Sequence, residues 1–251
     1  GSHVVFYSKA SNLIPGDTNG HEDVFLYSTY TGKITAAFTQ EIGNEGSFYP
    51  DISGDGRWVV FQSDATNLLD NETTNGRQIF LWDTYENKIS LVSNAIDGSE
   101  GGNGESRTPS VSDDGLRIVF ESDASNLVMG DTNNYTDVFY FNATTGGIEL
   151  LSKSVSGNLT NNASDQAKIS GDGNFAIFRS KATNIIEGKG ISFISVDRGG
   201  AGYFGSPTIL VNDLSGNGQN AEIQFAQNGI NQYGQISPAG LIIISSGENY
   251  V

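Results

Sequence analysis

Short apolar runs punctuate this chain, and they recur in one fixed order. "VVFYS" begins at Val4, "WVVFQS" at Trp58, "IVFES" at Ile118 and "AIFRS" at Ala176. Each is rich in β-branched and aromatic residues and ends on polar ones, as a buried strand does. The first three are followed by a second run: "DVFLYS" from Asp23, "QIFLWD" from Gln78 and "DVFYFN" from Asp137. A shorter alternating segment such as "KISLVS", from Lys88, closes the unit. Another short strand signal precedes each later copy and is joined to it by Ser53–Gly56, Ser112–Gly115 or Ser170–Gly173. Gly54-Asp55-Gly56 reads as a hairpin turn in which glycine supplies the positive φ that the turn needs. No long stretch carries apolar residues at helical spacing. The pattern predicts an all-β fold with four strands per period.

The period itself is legible. The Asn of an S-x-A-[ST]-N phrase recurs as Asn12, Asn67, Asn126 and Asn184, at intervals of 55, 59 and 58 residues. Four strands in nearly sixty residues mark a β-propeller blade, whereas solenoids carry fewer strands in a shorter repeat. Periods start near Val4, Val59, Ile118 and Ala176, so residues 1–190 hold about three and a half antiparallel blades. The phrase S-x-D-G-x-x-[IV]-x-F-x-S is carried by Ser112, Asp114, Gly115, Val119, Phe120 and Ser122, and then D-[VI]-[FY]-x-x-[DN] by Asp137, Val138, Phe139 and Asn142. This resembles the TolB-like, WD40-like propeller repeats of bacteria. The resemblance implies architecture rather than activity: propellers of that family mostly bind partners or act as rigid spacers. Blade edges left open by a half period invite strand pairing, and a homodimer through those edges is one way to cover them.

From about Gly190 the repeat stops. Residues 191–251 are expected to form a small β-domain or, less favoured, a degenerate blade, with strands near 191–197, 207–212, 221–226 and 240–246. The phrase from Val196 to Tyr203 resembles GGxGY-type repeats of phage-tail and bacterial surface proteins.

Composition narrows the function classes. The chain has 251 residues, 32 of them Gly, with 37% hydrophobic content, enough for a packed core. Its formal net charge of −16 repels phosphate backbones and anionic membranes, which excludes nucleic acid as a natural partner and leaves divalent cations as better candidates. No apolar run reaches membrane-spanning length, so no membrane insertion is expected. The absence of cysteine excludes disulfides and thiolate chemistry. An acidic, Asn- and Gly-rich chain without cysteine suits an extracellular, periplasmic or cell-surface protein.

Two loops invite a metal reading. Asp17, Asn19 and Asp23 match Asp131, Asn133 and Asp137, oxygen donors at positions 1, 3 and 7 of a tight loop. Such donors can cage calcium, but Asp and Asn also build turns by bonding nearby amides, and that reading is favoured. No other cofactor is expected. The S-x-A-[ST]-N phrase reads as a clasp for backbone groups at a chain reversal. "SGDGRW" (Ser53–Trp58) misplaces its glycine for a sialidase Asp-box, and no G-x-S-x-G elbow accompanies the two histidines. Tyr27, Tyr30, Trp82 and Tyr85 could stack on carbohydrate, although Trp82 reads better as core. No catalytic residue stands out. The expectation is a non-enzymatic binding or scaffold module with a protein or glycan partner; a lectin-like propeller and a glycoside-active propeller are the alternatives.

Overall fold

The computed structural model describes residues 1–38, 42–69, 76–98 and 100–185, and, as backbone, strands at 219–225 and 241–248. The chain divides into two units, Gly1–Ile185 and Ile186–Val251. In the first, the period becomes blades. Strands β4 (Ser47–Ile52), β5 (Trp58–Ser63), β6 (Gln78–Asp83) and β7 (Lys88–Leu91) form one antiparallel sheet in sequence order. Strands β8 (Ser106–Val111), β9 (Arg117–Ser122), β10 (Asp137–Asn142) and β11 (Gly147–Leu150) form a second sheet with the same topology. Around them stand a three-stranded sheet, β1 (His3–Ser8), β2 (Asp23–Ser28) and β3 (Ile34–Ala36), and a two-stranded sheet, β12 (Ser164–Ile169) and β13 (Ala176–Ser180). The predicted equivalence of the two complete blades holds strand by strand. No helix occurs among the described residues.

Strands β5 and β6 are apolar on both faces because both faces are covered. Val59 and Phe61 face one way, with Phe80 and Trp82, and pack against Val24 and Leu26 of the first blade. Val60, Ile79 and Leu81 face the other way and meet Ile118, Phe120 and Phe139 of the third. A period-2 pattern thus fills two interfaces at once. Burying each such side chain contributes roughly 1.5–3 kcal/mol, so the blades depend on their stacking for stability. Within each blade one phenylalanine pair repeats: Phe6–Phe25, Phe61–Phe80 and Phe120–Phe139, with ring centroids 5.6, 5.8 and 5.7 Å apart.

The S-x-D-G turn has a second task besides reversing the chain. Gly56, Gly115 and Gly173 have φ of 80°, 73° and 70°. The residue that opens β1, β5 or β9 in the preceding blade lies over each of them: His3, Trp58 and Arg117. A Cβ at Gly115 would run into the Trp58 ring. Only glycine satisfies both the dihedral angle and the close approach.

In the second unit, β14 (Gln219–Phe225) pairs antiparallel with β15 (Leu241–Glu248). These coincide with two of the four strands expected there; those near 191–197 and 207–212 lie outside the described residues.

Candidate functional site

The first strands of successive blades, β4, β8 and β12, run side by side. Each is broken at its centre by a bulge, with register shifts at Phe48/Asp51, Arg107/Ser110 and Asp165/Lys168. Inside each bulge one non-glycine residue is left-handed: Tyr49 at φ 49°, Thr108 at 49° and Gln166 at 55°. Such a backbone costs roughly 1–3 kcal/mol per residue and persists only where its surroundings impose it. Here the imposing group is visible. The Gln62 side-chain carbonyl on β5 accepts the Thr108 amide at 2.8 Å, and the Glu121 carboxylate on β9 accepts the Gln166 amide at 2.6 Å. Asp51 adds a second latch, accepting from Ser110 Oγ and the Val111 amide, both at 3.0 Å. The bulges line a cleft of about 480 Å³ that includes Tyr49, Asp51, Thr108, Glu121, Gln166 and Lys168.

Sequence reasoning missed these residues. The signal was present, since the residue before the closing Ser of each "VVF" run is Tyr7, Gln62, Glu121 or Arg179, but nothing local says that it reaches the next blade. At Tyr7 the acceptor is replaced by a ring, packed 5.8 Å from Tyr49 and 6.0 Å from Phe48. At Arg179 there is no acceptor, and the guanidinium turns back to Asp165 at 2.7 Å.

The S-x-A-[ST]-N phrase is a clasp, as expected. Asn67 Oδ1 accepts the Asn44 amide, while Asn44 Oδ1 accepts the Thr66 amide, both at 2.8 Å. The same reciprocal pair joins Asn103 to Asn126 and Ser125, and Asn161 to Asn184 and Thr183. In these three copies it ties the segment before the blade's first strand to the loop after its second.

The two aspartate loops share an asparagine clasp on their last aspartate and otherwise differ. In the third blade Asp137 is fully buried and accepts from the hydroxyls of Ser152 and Thr160 and from Asn133 Nδ2. Asn133 Oδ1 in turn accepts the Tyr135 amide at 2.9 Å. Burial first, and then the charge of Asp137, raise the Asp131 carboxyl above the usual carboxylate range, against the Asn133 backbone amide that it accepts. In the first blade Asn19 repeats the clasp, donating to both oxygens of Asp23 and to the Gly43 carbonyl and accepting the His21 amide. Among the described residues no hydroxyl donates to Asp23. Burial, with added repulsion from Asp17, pushes it up to about 6 despite the Asn19 hydrogen bond. The counterpart in the second blade is neutral: Gln78 accepts from Ser93 Oγ and donates to the Gly102 and Gly104 carbonyls.

Of the expected stacking surface, Trp82 is 1% exposed and belongs to the core. Tyr30 and Tyr85 are exposed, and the Arg57 guanidinium lies over both Tyr85 and Trp58. His21 sits 3.6 Å from Glu45 and is not among the residues that line the cleft.

No protein-family model and no curated protein matches the chain. Among solved structures it is similar to TolB from Acinetobacter baumannii, at 14% identity and TM-score 0.42, over 71% of this chain and 36% of that one. The putative TolB from Agrobacterium tumefaciens matches at 20% identity and TM-score 0.42, over 72% and 55%. An oligogalacturonate lyase from Vibrio parahaemolyticus matches at 14% and 0.41, over 72% and 43%. The two complete blades are four-stranded antiparallel sheets of propeller type. At these identities the likeness is one of fold alone, and the chain spans roughly a third to a half of each of those proteins. No comparison supports the GGxGY resemblance of residues 196–203.

Proposed function

We propose that this chain is a non-enzymatic binding or spacer module of a secreted or surface-exposed protein, with the cleft between β4, β8 and β12 as its contact surface. The observation that carries the reading is the equivalence of Gln62 and Glu121. The same position, holding the same left-handed amide of the next blade, is filled by a neutral amide in one blade and a carboxylate in the other. Glu121 therefore holds the Gln166 amide through an acceptor oxygen that glutamine also supplies, while its other oxygen lies 3.8 Å from Arg107 Nε. Asp51, the other carboxylate of the cleft, is likewise occupied by Ser110 and Val111.

The test separates latch from catalyst. Glu121→Gln keeps an acceptor and is expected to unfold within about 1 kcal/mol of the parent, whereas Glu121→Leu leaves the Gln166 amide unpaired and costs roughly 1–3 kcal/mol. Wild type is expected to show no turnover of chromogenic glycosides, oligogalacturonides or peptides. Turnover that Glu121→Gln abolishes would overturn the reading. A glycan-binding alternative is favoured by one feature: Tyr49 is 55% exposed at the mouth of the cleft beside Tyr7. A glycan-array signal lost in Tyr49→Ala would establish it.

A further inference from the structure

The first aspartate loop holds two buried carboxylates that, among the described residues, have fewer donors than their counterparts in the third blade. Asp17 and Asp23 are each 5% exposed. Asp17 Oδ2 is buried without a hydrogen-bond partner. None of the ion pairs among the described residues includes either aspartate. The nearest histidine, His21, is turned to Glu45. A buried carboxylate oxygen without a partner, in the field of a second carboxylate, costs free energy unless a proton or a cation meets it.

The other blades show what is missing. The Ala37, Val92 and Leu151 amides bond to the Val24, Ile79 and Val138 carbonyls, so the next residues, Phe38, Ser93 and Ser152, are structural equivalents. Ser152 and Ser93 donate to Asp137 and Gln78; phenylalanine has no hydroxyl to give Asp23. The second hydroxyl, from Thr160, is also lost. Asn133 reaches the Thr160 carbonyl where Asn19 reaches that of Gly43, which has no side chain. The first loop keeps the charges of the third and has lost both hydroxyls that satisfy them.

We propose that Asp17 and Asp23 bind one calcium ion between them, with Asn19 holding Asp23 in position and water completing the shell, and that the Asp131–Asp137 loop is a cation-free turn. The donors are oxygen only, which suits a hard cation, and calcium accepts an irregular, partly hydrated shell more readily than magnesium. Among the described residues no three or more Asp, Glu or His side chains are placed together to hold a metal ion, so protein carboxylates alone do not complete the shell. A two-carboxylate site of this kind belongs with the weak extracellular modules, with Kd of roughly 10⁻⁴–10⁻³ M.

The experiment uses the whole chain at pH 7.5, in EDTA and in 10 mM calcium, by calorimetric unfolding and isothermal titration. For wild type, a ten- to hundredfold excess over Kd is expected to raise Tm by roughly 3–10 °C. Asp17→Asn is expected to lose the whole rise, and Asp131→Asn to keep it. Asp23→Asn, which copies the neutral side chain of the second blade, serves the same purpose should Asp17→Asn fail to fold. Several outcomes would overturn the proposal. One is no calcium response in wild type; another is a rise that persists in Asp17→Asn and Asp23→Asn, which is diffuse binding to an acidic surface. A third is an equal rise with magnesium. The last is an Asp17→Asn protein in EDTA as stable as wild type in calcium, with no titration heat in wild type, which means that a shared proton fills the gap.

Discussion

The loops at 17–23 and 131–137 carry the same Asp-Thr-Asn-x-x-x-Asp word and the same asparagine clasp, yet their last aspartates live in different surroundings. Asp137 is ringed by three donors, whereas Asp23 has one side chain, Asn19, and a repelling neighbour. A repeated motif therefore guarantees the backbone shape of a loop and leaves its charge balance open. The balance is set by residues 15 to 23 positions further on, Ser152 and Thr160 in one blade and Phe38 and Gly43 in the other.

The widest separation of the two loops is expected from alanine. Asp137→Ala orphans two hydroxyls and an amide in a fully buried site and is expected to cost about 3 kcal/mol or more. Asp23→Ala in EDTA removes a repelling charge and is expected to cost less than about 1 kcal/mol. Urea unfolding midpoints measure both, and equal losses would erase the distinction.

Acidity offers a smaller effect of known sign. Asp23 faces Asn19, Asp17, His21 and Glu22, and its carboxyl titrates in the folded chain at about 6, above its ordinary 3.8. The folded state therefore binds more protons than the unfolded state between those values, so calcium-free stability rises as pH falls from 7 towards 5. In calcium this rise is expected to vanish or reverse, because the cation needs both carboxylates ionised. Asp83 and Asp165 behave oppositely: hydrogen bonds from Arg57 and Arg179 hold them below 3.8, and their contribution is lost only as pH falls beneath that value. A stability that falls steadily from pH 7 to 5 in EDTA would contradict the picture of Asp23.

The smallest and most pointed change is Phe38→Ser, which places a hydroxyl where Ser93 and Ser152 stand. It is expected to shift calcium-free stability by no more than about 1 kcal/mol while cutting the calcium-dependent rise in Tm by about half. An unchanged calcium response would mean that the missing hydroxyl is not what leaves the first loop open.

The strands, their order and the turns between them were legible in the sequence, because a strand buried on both faces needs β-branched and aromatic residues and a tight hairpin needs Gly56 or Gly115. Those are demands of the local backbone, and local demands leave their mark on adjacent residues. The clasp of Asn44, Thr66 and Asn67 was legible in part, as a phrase repeated at one structural place. What the blades do to one another was not. The Gln62–Thr108 and Glu121–Gln166 latches join residues 46 and 45 positions apart. The left-handed residues that they stabilise are Thr108 and Gln166, residue types with no preference for that conformation. The state of Asp23 likewise rests on Phe38 and Gly43, which carry no charge and attract no notice in a search for ligands. Hydrogen bonding and desolvation act over a few ångströms of space whatever the separation along the chain, so the stacking of the blades decided which carboxylates are latches, which are turns and which one is left facing another charge.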